Sequence, residues 1–314
     1  MRVIALAGGV GAARFLRGLV RAVAPEDVCA VVNTGDDRVF YGVQVCPDLD
    51  IVTYTLAGVV DREKGYGLAG DTFQVVDSLQ AYGHETWFRL GDRDLATCLH
   101  RTLRRRQGAG LASITEEIRQ HHGVRSRILP MSEEPCPTRV TLSGGRSLDF
   151  EEYLARDGAP DDVLGVDLSA AQRATPAPGV LEALGQAERV LLCPSNPVVS
   201  IGPILAVPGI RQALRESRAP VVGISPIVGG APVKGPADRL LRGIGVEVSA
   251  RGVASLYRDL CHAFVIDHRD AAQRAEVEAL GMACTVTDTL MRDDAIAEAL
   301  ARSTLELAER VRPR

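Results

Sequence analysis

Six stretches of the chain are apolar at consecutive rather than alternate positions: Val3–Ala7, Val28–Val32, Arg189–Cys193, Val221–Ile224, Ala263–Ile266 and Ala283–Thr287. Unbroken apolarity over a few residues, bounded by turn or capping residues, predicts strands buried on both faces, as in a parallel sheet. Helical spacing fills most of the intervals, so the pattern predicts an α/β fold, a Rossmann-like doubly wound and mainly parallel sheet. Between the second and third stretches lie roughly 150 residues, against about 2–6 in ordinary α/β loops, which predicts an insertion. Within it, 71–80, 95–103 and 113–120 carry helical apolar spacing, with Ser113 and Glu116 set as a capping box. Residues 127–131, 138–142 and 146–150 predict short strands, the last two joined at Ser143-Gly144-Gly145 as a hairpin. The expectation is one Rossmann-like domain over 1–314, with a largely helical insertion and a small β-hairpin region at about 45–175.

The first strand runs into Gly8-Gly9-Val10-Gly11-Ala12-Ala13-Arg14 and then an amphipathic helix start. Glycines let the backbone approach an anion, and the free N–H groups and dipole of a helix start favour negative charge there. A nucleotide or diphosphate is the default ligand. Arg14 stands where a dinucleotide fingerprint places its third glycine, which weakens a nicotinamide reading, and no Gly-Lys-Ser/Thr follows to make a Walker loop. Composition adds little to the overall class: 46% of 314 residues are apolar and the formal net charge is −4, so nothing attracts nucleic acid or an anionic membrane overall. Seven cysteines without metal spacing read as reduced buried thiols, and with no leader-like or spanning apolar segment the expectation is a cytoplasmic protein.

Acids cluster after the second strand. Asn33-Thr34-Gly35-Asp36-Asp37 falls at the carboxyl end of the sheet, where open α/β folds place ligands. In Pro47-Asp48-Leu49-Asp50, an extended segment would point both carboxylates the same way, and either cluster could hold magnesium beside a diphosphate; alternatively the acids cap turns. Arg89 and Arg93, in a stretch shared with Asp92 and Asp94, could grip a phosphate or an anionic ring. Arg101, Arg104, Arg105 and Arg106 read as a solvated helix face, and His121-His122 as a helix end. Residues 193–203 and 225–236 follow strands as long loops of small polar residues and prolines, suited to a base, ribose or phosphate. No Gly-x-Ser-x-Gly elbow or Cys/His pair suggests covalent catalysis.

Together these stretches resemble the 2-phospho-L-lactate transferase family of deazaflavin coenzyme F-420 biosynthesis. The resemblance runs through Gly8–Arg14, Asn33–Asp37, Pro47–Asp50, Asp71-Thr72-Phe73, Leu90–Asp94, Ser195-Asn196-Pro197 to Gly202-Pro203, and Ser225-Pro226-Ile227. It implies a magnesium-dependent transfer of a 2-phospholactyl or phosphoenolpyruvyl group from a guanosine diphosphate ester to the ribityl hydroxyl of 7,8-didemethyl-8-hydroxy-5-deazariboflavin, with release of GMP. By position, Gly8, Gly9, Gly11 and Asn33 would hold the diphosphate, and Ser195 and Asn196 the guanosine part. Asp50 and Arg89 would face the deazaflavin; Asp36, Asp37 and Asp48 would hold Mg2+, with Asp50, Asp36 and Asp37 as the catalytic carboxylates. A homodimer is the base-rate expectation. The rival is a nucleotide-sugar-binding regulator of the same superfamily; an NAD(P) oxidoreductase ranks last because of Arg14.

Overall fold

Seven strands form one sheet in the computed structural model, which describes residues 1–312. They are β1 (Val3–Ala7), β2 (Val28–Val32), β3 (Arg127–Pro130), β4 (Arg189–Leu192), β5 (Val221–Ile224), β6 (Ala263–Asp267) and β7 (Ala283–Thr287). All neighbours pair in parallel, in the order β7-β6-β5-β4-β1-β2-β3. The chain therefore winds outward from β1 in one direction and, from β4, in the other. That reversal opens a crevice beyond the carboxyl ends of β1 and β4, the usual ligand position of such sheets.

Both faces of the inner strands are buried, which is why they read as continuous apolar runs, whereas the edge strand β7, expected to be buried on both faces, is partly exposed because no strand covers its outer side. Val3, Ala5 and Ala7 pack with α1 (Gly9–Ala22), α2 (Pro47–Leu56), α5 (Leu111–His121) and α6 (Asp294–Arg310). Ile4 and Leu6 face the opposite layer, built from Val180–Gly185, Ile201–Ala206, Ile210–Arg215, Ala237–Gly243 and Ala250–Leu256. Helices α1 and α6 cross so closely that a Cβ on Gly18 would stand 2.3 Å from the Ala297 backbone.

Arg127–Pro130, expected among the short strands of the inserted stretch, instead extends the main sheet beyond β2, so the chain leaves the sheet twice. The first excursion carries the Arg38–Phe40/Val43–Val45 hairpin, α2, α3 (Gln74–Ala81), α4 (Asp92–Arg106) and α5. The second carries an antiparallel trio: Arg139–Leu142 and Ser147–Asp149 in the expected hairpin, joined by Val163–Asp167. Pro47–Asp50, expected extended, is the first turn of α2, with the proline ring preset for that place. The Ser113–Glu116 capping box does not form: α5 begins at Leu111, and Glu133 accepts hydrogen bonds from the Leu111 and Ala112 N–H groups while Glu116 pairs with Arg119.

Candidate functional site

The crevice at the β1/β4 switch opens into a cavity of about 870 Å³. Its floor is the glycine loop. A Cβ on Gly8 would stand 2.7 Å from Asp48 Oδ2, one on Gly11 would stand 2.4 Å from the Pro194 carbonyl, and Gly9 adopts φ +71°. Bare backbone is therefore required for this loop to lie against the loop after β4. The helix α1 starts at Gly9 with no side-chain cap, so its first N–H groups are offered to the cavity.

Asp48 already uses one of them: its Oδ1 accepts from Gly9 N at 2.7 Å. Its Oδ2 accepts from Asn33 Nδ2 at 2.8 Å, and the same amide nitrogen reaches Asp36 Oδ2 at 3.3 Å. Asn33 thus ties together the ends of β1 and β2 and two buried carboxylates. Asp36 Oδ1 is buried without a partner, although Asp36 lines the cavity. Burial, and then the charges of Asp48, Glu151 and Asp37, push the Asp36 carboxyl well above its usual range. Burial pushes Asp48 up to about 6, against the hydrogen bonds from Asn33 and Gly9. Glu151, at the start of the turn after Ser147–Asp149, lines the same floor and is pushed up to about 7 by burial and then by Asp48. Oxygen-only donors, with an unpartnered Asp36 Oδ1 beside the repelling charge of Asp48, fit a hard divalent cation. Asp36 and Asp48 are the residues that could hold it. Asp37 does not line the cavity, although its Oδ1 is also buried without a partner; its carboxyl is engaged by the Cys46 thiol.

A helix separates Asp48 from Asp50. Two residues apart on α2, their side chains point about 200° around the axis from one another, so Asp50 faces the other wall. There Arg101 of α4, 1% exposed, makes a short ion pair with Asp50 Oδ1 and also reaches the Gln44 carbonyl at 3.1 Å. Burial pushes the Asp50 carboxyl up and the Arg101 charge opposes it. Oδ2 of Asp50 has no partner. Arg101 was expected on a solvated face, yet it is buried while Leu99 and Leu103 of the same helix are 45% and 47% exposed. The available signal was its spacing: three after Cys98 and beside Thr102, it continues the buried stripe.

Asp94 completes this wall. Its Oδ1 accepts the Tyr54 hydroxyl at 2.9 Å, and its N–H donates to Asp71 Oδ2 at 3.0 Å. Asp50, Asp94 and Cys98 offer ligand atoms within 4.8 Å of one another. Cys98 is a buried thiol whose pKa burial raises further, so the trio does not suit magnesium, which takes oxygen ligands. Aromatic side chains flank the carboxylates: Tyr66, Phe73, Trp87 and Phe88 all line the cavity. Phe40 stacks on Phe88 at 3.9 Å and meets Trp87 edge-on at 5.2 Å, so the Arg38–Phe40/Val43–Val45 hairpin braces this wall from behind. Arg89 sits at the rim, 46% exposed, over the Phe73 ring at 4.9 Å and paired with Asp77 at 2.7 Å.

The loop after β4 supplies the remaining wall. Ser195 Oγ is buried, faces the cavity and has no partner. Asn196 Oδ1 is engaged with the N–H groups of Val198 and Val199, so this side chain shapes its own loop. Opposite, Lys234 Nζ donates to the Lys64 carbonyl at 2.7 Å, which ties 225–236 to the glycine-rich segment around Gly65. The structure thus gathers Gly8, Gly9, Gly11, Asp36, Asp48, Asp50, Arg89, Ser195 and Asn196 around one cavity, with Asn33 beneath it. Glu151, Asp94, Tyr54 and Arg101 were not singled out as site residues in the sequence. Among the described residues no helix is long and apolar enough to cross a membrane.

Residues 3–301 match the family model described as 2-phospho-L-lactate transferase CofD. A phosphoenolpyruvate transferase of Kitasatospora aureofaciens is 48% identical over 99% of both chains. A 2-phospho-L-lactate transferase of Methanosarcina mazei is 38% identical over 97% of this chain and 99% of its own. A crystal structure of a UPF0052-family protein from Bacillus halodurans superposes with a TM-score of 0.65 at 18% identity, covering 97% of this chain and 98% of that one, and so shares the fold. With its phosphate-type cradle and its carboxylate wall in one crevice, the chain is a transferase that belongs to the 2-phospho-L-lactate transferase CofD family.

Proposed function

We propose that this protein transfers a phosphoenolpyruvyl or 2-phospholactyl group from its guanosine diphosphate ester to the ribityl hydroxyl of 7,8-didemethyl-8-hydroxy-5-deazariboflavin, releasing GMP, in coenzyme F-420 biosynthesis. The observation that carries this reading is one continuous cavity with an anion cradle at the glycine loop and an aromatic, carboxylate-bearing wall about Asp50. A diphosphate ester suits the first and a flat polyhydroxylated heterocycle the second. The α1 N-terminus and glycine loop would orient the diphosphate, Ser195 and the neighbouring backbone would take the guanosine part, and Asp50 with Arg89 would position the deazaflavin. Mg2+, held by Asp36 and Asp48, would supply charge neutralisation at the diphosphate. Holding both substrates in line is most of what such a transfer asks of a protein. Between the donors, the higher identity to the phosphoenolpyruvate transferase favours the enolpyruvyl ester.

Calorimetric titration with GDP and with the deazaflavin alcohol, each with and without magnesium, tests the reading. Saturable binding of both, GDP tightened by magnesium, is expected. Asp50→Ala abolishes transfer and acceptor binding but leaves GDP affinity unchanged. Binding of neither ligand sinks the assignment, and loss of GDP affinity in Asp50→Ala moves that carboxylate to the nucleotide.

A further inference from the structure

We propose that Asp94, a carboxylate the fold places beside Asp50 on the acceptor wall, receives the proton of the acceptor hydroxyl during transfer. The assignment rests on the transferase reading above and adds to it the fate of the proton.

Three features single out Asp94. It lies in the first turn of α4, where its backbone N–H is fixed by Asp71, and its side chain lines the cavity. The Tyr54 hydroxyl donates to Oδ1 at 2.9 Å and so fixes the carboxylate's orientation. Among the described residues no cationic side chain comes within 4.0 Å of it, whereas Asp50 is in direct ion-pair contact with Arg101. A carboxylate held by a guanidinium is a poor proton acceptor; its unpaired neighbour is a better one.

The electrostatics of the wall agree. Burial first, and then the Asp50 charge, push Asp94 up to about 7, while the Tyr54 hydrogen bond and the Arg101 charge hold it back. The charged and titratable groups facing it are Asp50 and Tyr54 from α2, Cys98 and Arg101 from α4, and Asp71 from the segment before α3. The two neighbouring carboxyl groups divide the work: Asp50, held by the Arg101 guanidinium, orients the acceptor, and Asp94, with no ion-pair partner among the described residues, takes the proton. A base matched to neutral pH is the most effective one there.

In the step, the acceptor O–H bond breaks and its proton passes to the Asp94 carboxylate. The oxygen forms a bond to the phosphorus nearer the three-carbon acid, and the bond from that phosphorus to the bridging oxygen breaks. The electron pair leaves with GMP, and Asp94 returns its proton to solvent after product release.

The test is the pH dependence of kcat and kcat/KM for the full-length wild type, Asp94→Asn and Tyr54→Phe, with acceptor affinity measured by calorimetry. Asp94→Asn is expected to bind the acceptor within about 3-fold of wild type, yet to lose about 10–100-fold in kcat at pH 7. That is at or below the bottom of the roughly 100- to 10,000-fold range for a general base, because a dissociative transfer asks little of its nucleophile. The acid limb of the wild-type kcat profile should vanish in this variant. Tyr54→Phe should keep the limb and move it to higher pH, since the carboxylate loses a hydrogen bond that favours its charge. Wild-type kcat and an unchanged limb in Asp94→Asn overturn the proposal, as does an unmoved limb in Tyr54→Phe should the asparagine variant fail to fold. Absence of transfer by the wild type would instead overturn the functional reading itself.

Discussion

Arg101 and Asp50 bury a complete charge pair inside the inserted helices, with 1% and 7% of the two side chains exposed. Removing two charges from water costs several kcal/mol each, and only their mutual contact with further hydrogen bonds offsets it. The pair is therefore a poor source of stability but a firm way to fix a carboxylate with one oxygen turned to a cavity. Removing one partner exposes that cost. Arg101→Met is expected to destabilise the protein by about 3–5 kcal/mol in urea unfolding, because Asp50 is left buried without its countercharge. The double variant Arg101→Met with Asp50→Asn should recover most of that loss while remaining inactive. A single variant that loses less than about 1 kcal/mol would mean that Asp50 finds water or protonates without difficulty.

At the scale of elements, strands and glycine loop were legible because each follows from a local rule. Unbroken apolar runs at Val3–Ala7 and Val28–Val32 coincide with β1 and β2, and Gly8 and Gly11 sit where a Cβ would collide with Asp48 and Pro194. What escaped depends on contacts distant in sequence. The Arg38–Phe40/Val43–Val45 hairpin turns through Tyr41 and Gly42, both with positive φ, at 52° and 79°. Its turn lacks the Asn-Gly or Asp-Gly signal, and its reward is the packing of Phe40 on Phe88 and Trp87. Arg101 escaped because a guanidinium in an arginine-rich run reads as solvated until Asp50 is known to face it. The start of α5 shows the same competition: Ser113 offers a local cap, but Glu133, 22 residues away, takes the first N–H groups. A Cβ on Gly110 would meet that carboxylate at 2.8 Å, so the glycine makes room for it. Glu133→Ala should cost about 1–2 kcal/mol of stability in urea, the worth of a lost N-cap. Ser113→Ala should stay within about 0.5 kcal/mol of wild type. The opposite ranking would restore the capping box.

Across the whole molecule, the cavity concentrates carboxyl groups that burial holds above their unfolded values: Asp48 at about 6, Asp94 and Glu151 at about 7, with Asp36 and Asp37 raised well beyond the usual range. Each binds a proton in the folded state at a pH where the unfolded chain has already lost it. Between about pH 4, where free carboxyls titrate, and pH 7, the native state therefore carries more protons than the unfolded one, and stability must fall as pH rises through that window. Acids whose folded values lie below the usual range, such as Glu298 beside Arg302 and Arg21 and Asp92 under hydrogen bonds from Thr72, Val75 and Gln74, act the other way only in stronger acid. The cation-free protein should thus melt at a higher temperature at pH 5 than at pH 7.5, the reverse of a fold held together by surface ion pairs. Magnesium should close this gap from the pH 7.5 side, because it binds the ionised forms of Asp36 and Asp48 and gives the native state a ligand the unfolded chain lacks. Asp48→Asn should flatten the pH dependence and remove most of the response to magnesium, while Asp94→Asn should flatten it and leave that response intact. A melting temperature that rises from pH 5 to 7.5 in the absence of cation would show that these carboxyl groups are hydrated in solution, and the buried acidic floor of the crevice would lose its physical basis.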